Sequence, residues 1–120
     1  MSNLGAPEPT PTTFRLWNKD GVRILSVSGP LTISNIFRFQ EAWRIDAKAA
    51  DLVLDLAEVP YADSAAVGSI VNAHVSRQNG GRRVVVVVVD RVQKVLQITK
   101  VETLFPVCHT VDEAIATIKP

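Results

Sequence analysis

Few residues of this 120-residue chain have types and spacing that suit chemistry: the histidines His74 and His109, the single Cys108, and the pair Asp63-Ser64. Cys108 and His109 are adjacent, but a metal site needs three or four ligands at a recognisable spacing, so no metal is expected. His74 falls within an apolar helical stripe, where an imidazole ordinarily packs. Gly80-Gly81 precedes an apolar strand instead of following one, the wrong end to cradle a phosphate, and the P-loop and dinucleotide fingerprints are absent. A nucleophile elbow needs glycines two residues either side of its serine. Around Ser64 those places hold Ala62 and Ala66. A small α/β enzyme using Ser64 and a histidine is therefore disfavoured, and neither catalytic residues nor a cofactor are expected.

The informative stretch runs from Leu54 to Gly68, LDLAEVPYADSAAVG. It leads from a buried strand through a short proline-bearing loop to a helix whose cap is Asp63 or Ser64. The commonplace role of Ser64 is N-capping, worth ~0.5–2 kcal/mol relative to alanine. The other reading places its hydroxyl at a positive helix terminus, between Asp63 and the small Ala65 and Ala66. A phosphate there would meet free backbone N–H groups.

The elements that must position this pair follow from periodicity. Phe14 and Leu16 alternate with polar neighbours, Asp20-Gly21 supplies a hairpin turn, and Val22, Ile24, Leu25 and Val27 continue a second, antiparallel strand. Ser34 is a candidate cap for a helix with Ile36, Phe39, Trp43, Ala47 and Ala50 on one stripe. Residues 51–56 read as a strand. The helix opening near Ser64 carries Val67, Ile70, Val71, His74 and Val75 on its apolar side, and Gly80-Gly81 ends it. Six valines, Val84 to Val89, read as a central strand covered on both faces. A third helix aligns Val92, Val95, Leu96 and Thr99. After a short strand near Val107, Thr110 to Glu113 form a capping box for a last helix with Val111, Ala114, Ile115 and Ile118 inward. The pattern predicts an α/β fold: a mixed sheet of four or five strands with an opening antiparallel hairpin, packed against about four helices. Right-handed crossovers put the loops Ser28–Ser34, Glu58–Ser64 and Asp90–Val92 at the carboxyl edge of the parallel strands, where partners meet such sheets.

Length and composition agree with one domain: 47% of residues are hydrophobic, and 13 basic side chains balance 12 acidic ones to a net charge of +1. Scattered lysine and arginine argue against nucleic-acid binding. No run approaches the ~20 apolar residues of a membrane helix. One cysteine and no signal-like N-terminus point to the cytoplasm. Residues 1–13, with Pro7, Pro9 and Pro11, read as a flexible arm, leaving 14–120 as the domain.

The Leu54–Gly68 stretch, Gly80-Gly81-Arg82, the valine strand, Val95 to Thr99, Leu104-Phe105-Pro106 and Thr110 to Ala114 together resemble a STAS domain. More narrowly, they are similar to the bacterial anti-sigma factor antagonists, over about residues 14 to 118. That resemblance implies a binding module for an anti-sigma factor that is also an ATP-using serine kinase. Phosphorylation of Ser64 would release the partner and a phosphatase would reset the switch. Asp63, Thr32, Ser34, Phe37, Tyr61, Ala65 and Val67 are the accompanying partner-binding candidates. Phe37 is included because it points away from the Ile36–Trp43 stripe, either to cover the arm or to anchor a partner.

Three departures stand out. Ala65-Ala66 replace a common Ser-Gly, Gly29-Pro30-Leu31-Thr32 replaces an acidic loop, and Lys100 stands where a helix-ending glycine is common. The same fold serves a second function class, a STAS subunit of a membrane (lipid or anion) transporter or of a stress-signalling complex. The edge strand of the opening hairpin offers a contact for a homodimer.

Overall fold

A computed structural model describes residues 11–45 and 49–120. The chain opens with β1 (Thr13–Lys19) and β2 (Val22–Ser28), antiparallel and joined by Asp20 and Gly21 at φ 53° and 79°. Two successive left-handed residues make the type I′ turn that the Asp-Gly pair predicts, because its twist matches the strands. Next come helix α1 (Ile36–Arg44), β3 (Leu52–Glu58), α2 (Ser64–Asn79), β4 (Val84–Val87), α3 (Asp90–Ile98), a 3₁₀ turn at Val101–Thr103, β5 (Val107–Cys108) and α4 (Val111–Ile118). Neighbours in the five-stranded sheet follow chain order, β1-β2-β3-β4-β5, and every pairing after the hairpin is parallel.

Alternation along the strands divides the interior into two layers. One face carries Leu25, Val27, Leu52, Leu54, Val84 and Val86, covered by Phe39 and Trp43 of α1, Ile70 and Ala73 of α2, and Val92 and Leu96 of α3. The other carries Val22, Ile24, Val53, Val85 and Val87, covered by Ala114, Ile115 and Ile118 of α4. The capping box of α4 holds in part. Thr110 Oγ1 accepts from Glu113 N at 3.1 Å, while the Glu113 carboxylate accepts from His109 N, one residue before the cap.

Several boundaries differ from the sequence reading. The valine strand stops at Val87; Val88 remains buried, and Val89 is exposed as the N-cap residue of α3. That strand has neighbours on both sides, but β3 holds the middle place. Ser34 does not cap α1: Asn35 takes the N-cap position, and its side chain turns back to accept from Thr32 N and donate to Pro30 O. The helix ends at Arg44, so Ala50 lies beyond it, and Ala47 falls outside the described residues. Val75 faces solvent and Val71 is half-buried, and the inner side of α2 ends instead on Arg77. Thr99 lies past the end of α3, its hydroxyl donating to Val95 O. The folded body begins before Phe14: Thr12 is buried and its hydroxyl donates to Pro30 O. Residues 1–10 of the predicted arm lie outside the described residues.

Gly29 fixes where the β2–α1 loop departs. Its φ is 109°, and a Cβ there would lie 2.9 Å from Thr12 Oγ1 and 3.0 Å from Thr12 Cα, so both backbone shape and space require glycine.

Candidate functional site

Two of the three loops singled out from sequence are stitched together at the carboxyl edge of the sheet. Leu31 N donates to Tyr61 O and Asp63 N donates to Leu31 O, a one-rung parallel bridge between the β2–α1 and β3–α2 loops. A register shift between β2 and β3 at Ser26/Ser28 precedes this bridge, a device common where a sheet ends beside a site.

Asp63 completes the stitch. It is the N-cap of α2, and its Oδ1 accepts from Ala66 N at 3.0 Å while its Oδ2 accepts from Ile33 N at 2.9 Å. One carboxylate thus closes a helix terminus and holds the neighbouring loop. Of the two capping candidates, Asp63 does the work. Ser64 is the first helical residue, exposed, and its hydroxyl has no hydrogen-bond partner among the described residues. The Ser64 and Ala65 N–H groups, within the first turn, are likewise unmatched by any described acceptor.

The other candidates separate by exposure. Phe37 stands 75% exposed on α1, Tyr61 55% exposed in the β3–α2 loop, and Ser34 is exposed. Thr32 and Ala65 are half-covered, and Thr32 Oγ1 accepts from Ser34 N inside the loop. Val67 is corrected: at 6% exposure it packs in the core with Ile70, because the third residue after Ser64 turns toward the sheet. His74 follows the plain reading. His74 packs against Phe105 with ring centroids 5.7 Å apart, and His109 Nε2 lies 3.1 Å from Gln93 Oε1. Among the described residues no group of three or more His, Cys, Asp or Glu could hold a metal ion.

Sequence reasoning missed two features of this edge. Ile33, 66% exposed, is presented by the loop that Asp63 holds. On the far side, a cleft of about 260 Å³ opens between the β3–α2 loop and α3. Ile98, on its wall, is 75% exposed. An apolar residue at a helix end was the available signal for Ile98; nothing local marks Ile33. No described helix is long and apolar enough to cross a membrane.

The STAS domain family model matches residues 14–114, and the chain belongs to that family. Among solved structures, a candidate anti-sigma factor antagonist from Thermotoga maritima is 25% identical with a TM-score of 0.80, over 89% of this chain and 95% of that one. An anti-sigma factor antagonist from Mycobacterium paratuberculosis is 21% identical, with a TM-score of 0.86 over 94% of this chain and 100% of that one. SpoIIAA of Bacillus, solved in its phosphorylated form, is 15% identical with a TM-score of 0.69, over 89% and 100%. No curated protein matches the sequence significantly.

Proposed function

We propose that this chain is an anti-sigma factor antagonist switched by phosphorylation of Ser64. Unmodified, it holds an anti-sigma factor that is also a serine kinase, and so frees a sigma factor for transcription in the cytoplasm. The observation that carries this reading is the idle Ser64 hydroxyl: exposed at the first position of α2, while Asp63 does the capping a serine there would otherwise do. SpoIIAA, which shares the fold, exists in a phosphorylated form. The module itself performs no catalysis, since phosphoryl transfer needs the nucleotide and metal clamps that the sequence lacks; ATP belongs to the partner. A serine phosphatase would restore the binding state.

Modification adds a charge of about −1.5 to −2 and three acceptor oxygens. The free N–H groups of Ser64 and Ala65 and the helix dipole favour that charge by up to ~2 kcal/mol. Asp63 opposes it, but both its oxygens are already bonded to backbone donors and need not move. The fold should therefore persist. Binding should not, because a dianion enclosed in a fitted interface without a cation carries a large desolvation cost. A loss of ~3–4 kcal/mol lowers affinity by about two to three powers of ten.

The test incubates the protein with the ATP-binding anti-sigma kinase of the same genome. Intact mass and peptide mapping should place one phosphate on Ser64. Ser64→Ala should bind without ever accepting phosphate; Ser64→Asp should bind poorly yet melt near the wild-type temperature. Tight binding by Ser64→Asp, or phosphate on Thr32 instead, sinks the proposal. Ser69 is a poor acceptor, since it is buried and its Oγ accepts from Trp43 Nε1.

A further inference from the structure

The cleft beside Tyr61 has a chemistry that neither Ser64 nor the fold accounts for. Pro60, Tyr61 and Ala62 form one wall and Val95 and Ile98 of α3 the other, while Arg91 and Lys94 stand on the same helix, three residues apart. Residues at that spacing share a helix face. No carboxylate lines the cleft, and neither cation makes a hydrogen bond or ion pair with any described residue. An apolar slot flanked by two unmatched positive charges is therefore exposed three residues before the phosphoacceptor.

We infer that this cleft receives an acidic, apolar peptide segment of the protein partner: one large aliphatic or aromatic side chain between Tyr61 and Ile98, with flanking carboxylates on Arg91 and Lys94. The volume admits one such side chain and falls below the ~300–1,000 Å³ of sites for drug-sized ligands. Charge complementarity selects the acidic flanks. A membrane surface fits less well, because interfacial binding uses an extended apolar helix face with basic rows, whereas here the apolar surface is one short cleft beside two cations. The inference rests on the reading that a protein docks at the Ser64 edge, but its test needs no kinase.

The probe is the synthetic peptide acetyl-Gly-Glu-Leu-Phe-Asp-Glu-amide, titrated into the ¹⁵N-labelled full chain and followed by amide shifts. Shifts should centre on Tyr61, Ala62, Val95 and Ile98, and a peptide with lysine in place of each acid should bind at least ~10-fold more weakly. The double variant Arg91→Glu/Lys94→Glu should reverse that preference, and Ile98→Ser should weaken both peptides. All three positions are at the surface, and an unchanged melting temperature would show each variant folded. No shift at millimolar peptide, shifts centred elsewhere, or binding to phosphatidylglycerol vesicles in preference to the peptide would overturn the inference. The two proposals fail separately. A silent cleft in a chain whose Ser64→Asp variant still loses the kinase removes only the cleft. A cleft that binds peptide in a chain never phosphorylated at Ser64 removes only the switch.

Discussion

Asp63 divides one carboxylate between two structural duties, and this makes it the least replaceable side chain of the edge. Asparagine there keeps a single oxygen and turns an N–H donor toward either Ala66 N or Ile33 N. Asp63→Asn should cost ~1–2 kcal/mol in urea unfolding, the range expected for a lost cap bond and an orphaned donor. Under the proposed function it should also weaken capture of the partner kinase with Ser64 intact, since the loop bearing Thr32 and Ile33 loses its side-chain tie. Lys100 shows the opposite case, a residue that local backbone geometry disfavours. It follows the C-cap Thr99 at φ 61°, ψ 20°, as the missing helix-ending glycine predicts. Lys100→Gly should gain roughly 1 kcal/mol and raise the melting temperature by a few degrees, read by calorimetry.

Between the elements, the strongest tie is Arg77. Its guanidinium, fully buried, donates to Trp43 O, Ile45 O and Ala50 O, gathering the end of α1 and the approach to β3 onto α2. Burial, with a smaller push from Arg23 against the pull of Asp51, lowers its pKa from the ordinary arginine range to about 10. The group stays charged at neutral pH, and three carbonyls compensate that charge. Arg77→Met would leave them without a donor among the described residues, at a cost of ~2–4 kcal/mol in chemical denaturation. Folded and unfolded chains both keep this proton below about pH 10. The cost should therefore be constant between pH 6 and 9; above pH 10 the folded state sheds the proton first and wild type gains relative stability. This tie was not legible in the sequence. Strands, helices, the Asp20-Gly21 turn and the Thr110 cap are local patterns, and their order gave the sheet. Arg77 sits 27 residues or more from each of its acceptors. The end of the valine strand was equally hidden, because six identical residues carry no punctuation. At the site, the Asp63-Ser64 pair was readable as alternative caps. That the other Asp63 oxygen accepts from Ile33 N, 30 residues away, no local pattern could show.

At the scale of the whole molecule, the sheet separates two unequal layers. Three helices close the face leading to the Ser64 edge, and α4 alone closes the other. The strand order, each strand beside the one made before it, bears on synthesis. A ribosome delivering this chain from its N-terminus releases every strand with its partner already outside, so the sheet can grow one edge at a time without opening a finished pair. Only the α4 layer must wait. Val22, Ile24, Val53, Val85 and Val87 stay wet on that face until Ala114, Ile115 and Ile118 emerge, after all five strands. Chains arrested at His109 should bind a hydrophobic dye and yield to protease, and chains extended past Pro120 by an inert linker should do neither. Helix α4 thus times the closure: the nascent domain conceals its second apolar face only after every strand of the five-stranded sheet has been translated.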